Sequence, residues 1–570
     1  MRLLAALIIV NGLLLAPVWV LAGDMGLPWL SLEAVVVVGG FALLPPRRWV
    51  FYGAVAAGVA VVGLALLGLG DTALRLSLGR PANLYVDLWL LDSVWHLLLG
   101  TLGRPLALVV VVLALGVTVV LALLVGRLLG PERSLADGPA RPIEGADRPR
   151  RLRSGIADRA RQLRGGIADR PRRLRILIAT GLAGFVGAAL VAERVPALAP
   201  GVDAPAVRLV RDQATRLVEM TRERGRFADA LARHPDSYAG VPGLLSGLGG
   251  RDAIFAFVES YGVSALYDPR YAPVVGPRLD ALEQRLEQAG LHLASGRVVA
   301  PSQGGQSWFG HGSLLSGIWL DNQLRYDMLL ASGRETLIDD FERAGYRTVA
   351  LMPAITAAWP EGGRFGYDEI YARGDIDYAG PPLNWVTMPD QFTWSFLERV
   401  IRTEHPAGKA GGDRARRPLF AELSLISSHA PWTPILPVLD DWDTIGDGAV
   451  FAAWKDAGES PEELWLDTDR VREHYGRSIE YALHTMAAYA ERYVDERTLL
   501  VVLGDHQPAP LITGEDASWE VPVHVISGNA GVIQPFLDWG FVEGAWPDPE
   551  HEPLGVDYFR DWFVRAYSGS

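Results

Sequence analysis

Apolar residues along this chain follow two different patterns, and the pattern changes near residue 200. In the first third they form long unbroken runs, at residues 3–21, 30–44, 50–69, 106–125 and 176–191. Most of these approach the length a helix needs to cross a hydrocarbon core about 30 Å thick, although the second is short and carries Glu33. Beyond residue 250 the runs shrink to short β-branched and aromatic stretches separated by amphipathic ones. That alternation predicts an α/β fold, an αβα sandwich around a mostly parallel sheet. Between the two regions, residues 203–233 place Val207, Val210, Leu217, Met220, Phe227 and Leu231 along a charged helix. The Gly/Pro-rich stretch 235–250 then reads as a linker.

The chain therefore divides into a membrane region with five spans (1–195), a juxtamembrane helix and linker (196–250) and a soluble domain (251–570). Within the last, the pattern predicts helices at 275–288, 335–344, after Asp390, at 467–494 and at the C-terminus. Strands are expected at 253–258, 347–352, 419–426, 498–503 and 521–527, with a strand pair at 291–300.

Arginine placement orients the spans, because short cytoplasmic loops hold an excess of basic residues. Arg2, Arg47 and Arg48 fall inside, as does the Arg-rich loop 127–175 with its eleven-residue repeat beginning at Arg148 and again at Arg159. The soluble domain is then extracytoplasmic, anchored as a multi-pass protein of the cytoplasmic membrane. The outer loop 70–104, with Tyr85, Trp89 and Trp95 among leucines, reads equally as an interfacial helix or as a loop packed on its neighbours. The basic loop suits a solvated topology determinant, and anionic lipid headgroups are the other reading.

Net charge is −13 over 570 residues, and with the inner loop basic the outer domain is more acidic still. Nucleic acid is excluded as a partner, since phosphate binding needs a positive face. There is no cysteine, so the outer domain is held without disulfides.

Candidate chemistry sits where apolar runs stop. Thr498-Leu499-Leu500-Val501-Val502-Leu503 ends at Gly504-Asp505-His506, and Ala253-Ile254-Phe255-Ala256-Phe257-Val258 ends at Glu259-Ser260. In α/β sheets ligands bind beyond the carboxyl ends of strands. A Gly-rich loop, Gln303-Gly304-Gly305-Gln306-Ser307, precedes a predicted helix, and Ser307 there is either an N-cap or a nucleophile beside backbone N–H groups. His429 closes the strand at 419–426, followed by Ala430-Pro431-Trp432. Glu259, Ser307, Asp505 and His506 together suit one divalent cation, manganese or zinc, and an activated hydroxyl.

These segments resemble, in the same order, the lipoteichoic acid synthase and phosphoethanolamine transferase branch of the sulfatase and alkaline phosphatase superfamily. The resemblance implies that Glu259, Ser307, Asp505 and His506 hold the metal, with Ser307 as nucleophile and His429 as a catalytic histidine at the substrate. It also implies substrate contacts from Trp359, Arg364 and Trp432. Three features depart from the pattern. Serine stands where the family usually has threonine, Met352-Pro353-Ala354 replaces a His-x-Asp pair, and Glu361 replaces an arginine. The sulfatase formylglycine motif is absent around Ser307-Trp308-Phe309-Gly310-His311.

The expected function is a membrane-anchored, metal-dependent phosphotransferase. It moves a phospho-alcohol headgroup, phosphoglycerol or phosphoethanolamine in type, from a membrane phospholipid donor to an envelope glycan or lipid acceptor through a phosphoserine-type intermediate. The alternatives are a phosphodiesterase or phosphatase using water at the same site, and a non-catalytic membrane scaffold.

Overall fold

The computed structural model describes residues 1–22, 27–45, 47–88, 90–131, 201–233, 237–403, 417–514 and 516–569. It divides into two compact units, Met1–Arg75 with Pro81–Thr221, and Leu76–Arg80 with Arg222–Ser570.

The first unit is built on α1 (Arg2–Ala22), α2 (Leu32–Leu43), α3 (Arg48–Leu78), α4 (Leu90–Leu129) and the start of α5 (Pro205–Arg233). Among the described residues three helical segments, Arg2–Leu21, Arg48–Leu78 and Leu102–Leu129, are long and apolar enough to cross a membrane. The expected second span is only the 12-residue α2. Its reason is the carboxylate it carries. Ser31 caps the helix, and Glu33 accepts from the Ser31 hydroxyl at 2.7 Å and from the Val207 N–H at 2.9 Å. A carboxylate so engaged cannot sit in hydrocarbon. The loop expected from residue 70 is instead a continuation of α3 to Leu78, and α4 is broken at Gly103 (φ 70°). Helices α3 and α4 cross closely: a Cβ on Gly58 would lie 2.3 Å from the Ala122 carbonyl oxygen, so small residues set this approach. The fifth expected span, Trp89 and the arginine repeat lie outside the described residues.

The second unit holds an eight-stranded sheet of β1 (Asp252–Val258), β2 (His292–Val299), β3 (Arg347–Met352), β4 (Glu369–Ala372), β5 (Leu419–Leu425), β6 (Thr498–Gly504), β7 (Glu520–Ser527) and β8 (Val542–Glu543). Their order is β8-β2-β7-β6-β1-β5-β3-β4. From β6 to β4 all pairings are parallel, while β7 is antiparallel to both β6 and β2, and β8 to β2. The sheet is thus mixed. Parallel return needs a crossover long enough to carry a helix, and only the one-turn helix Pro510–Thr513 lies between β6 and β7. The strand pair expected at 291–300 is the single strand β2.

Strand β1 is buried along its whole length, and its side chains alternate between two cores. Ile254, Ala256 and Val258 face the core that includes α6 (Ala272–Gln288) and residues of the 26-residue helix Thr468–Tyr493. Ala253, Phe255 and Phe257 face the other, which includes residues of α7 (Ser307–Ser316), α8 (Leu337–Arg343) and the C-terminal helix Tyr558–Tyr567. Period-2 alternation in a strand apolar from Ala253 to Val258 is what a sheet covered on both faces requires. The expected linker at 240–250 is packed instead: Leu245 and Leu248 are buried, and Gly247 lies against the Tyr567 backbone.

Candidate active site

Three neighbouring parallel strands deliver the site from their carboxyl ends. Central β1 runs out at Glu259, β6 at Asp505, and β5 leads through Ser427 and Ser428 to His429. The ladder continues into these residues, with Glu259 N–H donating to the Leu425 carbonyl at 2.9 Å and Asp505 N–H to that of Val258 at 3.3 Å. Gly504 must be glycine, because a Cβ there would sit 1.9 Å from the Tyr261 carbonyl oxygen.

Glu259, Asp505 and His506 each present a ligand atom within 4.8 Å of the others. His506 Nδ1 lies 2.8 Å from the Gln507 carbonyl oxygen. A carbonyl only accepts, so Nδ1 carries a hydrogen, and when the ring is neutral its Nε2 lone pair turns inward. There Nε2 meets Oε1 of Glu259 at 3.4 Å and Oδ2 of Asp505 at 3.6 Å, and it is buried with no hydrogen-bond partner among the described residues. Asp505 Oδ1 is fixed by the N–H groups of Ser260 and His506 at 2.8 and 2.7 Å, and Glu259 Oε1 accepts from the Ser260 hydroxyl at 2.8 Å. Three inward-facing acceptors carrying two negative charges fit a divalent cation, and the Glu/Asp/His donor set suits manganese or zinc.

Protonation follows the same electrostatics. Burial, then the neighbouring Glu259, push Asp505 up to about 6. For Glu259 burial also pushes upward, but His506, His429 and the Ser260 hydroxyl hold it below the ordinary carboxylate value. Burial lowers His506 while Asp505 and Glu259 outweigh it.

Ser307 opens α7 after Gln306, which caps the helix in the left-handed region (φ 64°), and its Oγ lies 3.4 Å from Glu259 Oε2. A Cβ on Gly310 would come within 2.8 Å of the Asp505 carbonyl oxygen, so glycine there lets α7 approach the β6 end. The neighbouring hydroxyls point elsewhere: Ser302 Oγ is 3.5 Å from the Gln306 carbonyl, and Ser313 Oγ accepts from Leu320 N–H.

Glu259, Ser307 and His429 open into a cavity of about 480 Å³ walled largely by Trp308, Leu315, Met352, Ile355, Trp359 and Phe365. Trp359 thus shares the cavity with Ser307. Arg364 is exposed and is not among the lining residues, and neither is Trp432. Trp432 is buried behind the His429 turn, its indole donating to the Ser428 carbonyl at 2.6 Å. The cavity also brings in His311, Glu422 and Tyr367, which the strand-end signal misses. Two cues point to them: the four-residue spacing of Ser307 and His311 on a helix, and a carboxylate inside the apolar strand Phe420-Ala421-Glu422-Leu423.

No family model matches the chain, and no curated protein does. Solved structures do. The lipoteichoic acid synthase LtaP from Listeria monocytogenes is 13% identical over 56% of this chain and 73% of that one, with a TM-score of 0.35. A protein in the alkaline phosphatase superfamily from Vibrio parahaemolyticus matches at 14% identity over 52% and 67%, TM-score 0.32. The C-terminal periplasmic domain of EcEptC from Escherichia coli, in complex with Zn, matches at 14% over 54% and 90%, TM-score 0.31.

Proposed function

We propose that this protein is a membrane-anchored, metal-dependent phosphotransferase of the cell envelope. The donor is a phospholipid whose phosphoglycerol- or phosphoethanolamine-type headgroup passes to a glycan or lipid acceptor. One observation carries the reading: Ser307, at a helix N-terminus, faces a carboxylate of a buried Glu259, Asp505 and His506 cluster at the mouth of an apolar-walled cavity.

Glu259, Asp505 and His506 would hold the cation, with Ser307 as a fourth ligand. When bound, such an ion lowers the pKa of a hydroxyl and neutralises phosphoryl oxygens. Ser307 Oγ, its hydroxyl proton lost to solvent beforehand, attacks phosphorus, the bond to the leaving alcohol breaks with its electron pair, and the headgroup phosphate rests on Ser307. N–H groups of the first turn of α7 and the exposed imidazole of His429 bind the phosphoryl oxygens as charge builds on them. An acceptor hydroxyl then displaces Ser307. The apolar wall keeps bulk water from competing.

The test is a trapping experiment on the detergent-purified full chain, incubated with phosphate-labelled phospholipid and quenched in acid. A headgroup phosphate on the Ser307 peptide is expected, and none from Ser307→Ala. Turnover with no adduct, or an adduct elsewhere, overturns the covalent route. Orientation is tested by fusions: alkaline phosphatase joined near Pro139 should be inactive and near Gly240 active, and the converse reverses the topology.

A further inference from the structure

We infer that His311, held by Glu422, delivers the proton to the leaving alcohol and takes one from the incoming acceptor. This deepens the phosphotransferase reading and rests on it.

His311 follows Ser307 by four residues on α7, so the two side chains share a helix face with Cβ atoms about 5–6 Å apart. Its ring stacks on Phe257, centroids 3.8 Å apart, which fixes the ring plane. Nδ1 lies 2.7 Å from Oε1 of Glu422, and the other oxygen of that carboxylate accepts from the Tyr367 hydroxyl. Glu422 is 1% exposed, in the middle of β5, where Ser424 is the one other polar residue. A carboxylate in such a place is costly unless both oxygens are met, and here one partner is an imidazole that lines the cavity beside Ser307. With Nδ1 engaged, Nε2 is the nitrogen left to the cavity. A carboxylate that fixes the tautomer and steadies the imidazolium is the arrangement used wherever histidine shuttles a proton.

Among the described residues no carboxylate is hydrogen-bonded to His429, although its charge reaches Glu259. Its Nδ1 faces the Ala430 carbonyl on an exposed turn, which suits a group that binds phosphoryl oxygens. The proton balance falls to His311. As the Ser307 Oγ–P bond forms and the P–O bond to the alcohol breaks, the alkoxide electron pair takes the proton from His311 Nε2. The acceptor enters where the alcohol left, so its hydroxyl proton goes to the same nitrogen while the electron pair of the Ser307 Oγ–P bond returns to Oγ. His311 is a catalytic residue in this scheme; Glu422 and Tyr367 are positioning residues.

The experiment uses the metal-loaded full chain in detergent and methyl aryl phosphates whose leaving groups run from p-nitrophenol to unsubstituted phenol. A weakly basic leaving oxygen needs no proton and a basic one does. His311→Gln should therefore lose about 10²–10³-fold on the phenyl ester and less than about tenfold on the p-nitrophenyl ester. Glu422→Gln should steepen the dependence in the same direction, less far. Both esters are measured on one preparation, so partial misfolding cancels from their ratio. An equal loss on both, no loss on either, or a fall in bound metal in His311→Gln overturns the assignment. Ser307→Ala should lose all esters alike with metal retained. If instead it turns over normally, the covalent reading fails while the His311 ratio still reports on proton delivery. A wild-type chain inactive on every ester sinks both.

Discussion

Nε2 of His506 and Oε1 of Glu259 face each other 3.4 Å apart in the protein interior, and the Gln507 carbonyl holds the hydrogen of Nδ1 on the far side of the ring. Two acceptors so placed repel unless a proton or a metal cation lies between them, and a metal cation competes with the proton for Nε2. The purified chain should bind one manganese or zinc ion by elemental analysis, and His506→Ala or Glu259→Gln should weaken it by more than about 100-fold. At a thousandfold excess over its dissociation constant the ion adds about 4 kcal/mol of stability, so a chelator should lower the melting temperature by several degrees. A melt indifferent to chelator would contradict the site.

Ser307→Ala should reduce turnover by more than about 10³-fold while leaving bound metal near wild type, because three ligands remain. Ser307→Thr should keep activity if its added methyl fits beside Trp308. Ser302→Ala and Ser313→Ala should retain activity, since those hydroxyls serve backbone groups. Activity lost in either of these and kept in Ser307→Ala would move the nucleophile.

Gly310→Ala should cost about 1–3 kcal/mol and weaken metal binding, because its methyl meets the Asp505 carbonyl and pushes α7 off the β6 end. A variant with wild-type melt and metal content would show that this approach tolerates a methyl group.

His524 is buried on β7 between two hydroxyls. Ser295 Oγ donates to the Gly544 carbonyl at 2.7 Å and so accepts from His524 Nδ1–H at 2.8 Å, which leaves Nε2 to accept from the Tyr261 hydroxyl at 2.9 Å. Burial pulls this histidine down to about 4. The unfolded chain takes up the proton near 6.5 and the folded chain near 4, so the contribution is fully present above 6.5 and lost as pH falls through that window, ~3 kcal/mol in all. His524→Phe should be less stable at pH 7 yet lose less between pH 6.5 and 4.5, read as melting temperature. Identical pH slopes in the two proteins would refute this.

Much of the soluble domain was legible because its strands are buried on both faces. Uninterrupted apolar runs mark β1 and β6, and ligand-type residues follow them at once. Pairing direction was not legible, since β7 reads the same whether parallel or antiparallel and only the short connection before it decides. Glu33 escaped interpretation because its partner, the Val207 N–H, is 174 residues away. His311 and Glu422 were hidden for a similar reason. A histidine on a helix and a glutamate in a strand acquire meaning only when β5 and α7 are laid side by side.

The order in which the sheet is made has a consequence for biogenesis. Central β1 leaves the ribosome before every other strand of its sheet, yet its hydrogen-bonding partners β5 and β6 come far later, and Ser260 waits 245 residues for Asp505. Until β5 emerges both edges of this strand, apolar from Ala253 to Val258, stand open, and one edge stays open until β6 follows, the condition under which chains associate with one another. The pairing of β6 with β1, which sets Asp505 and His506 beside Glu259, closes the second edge.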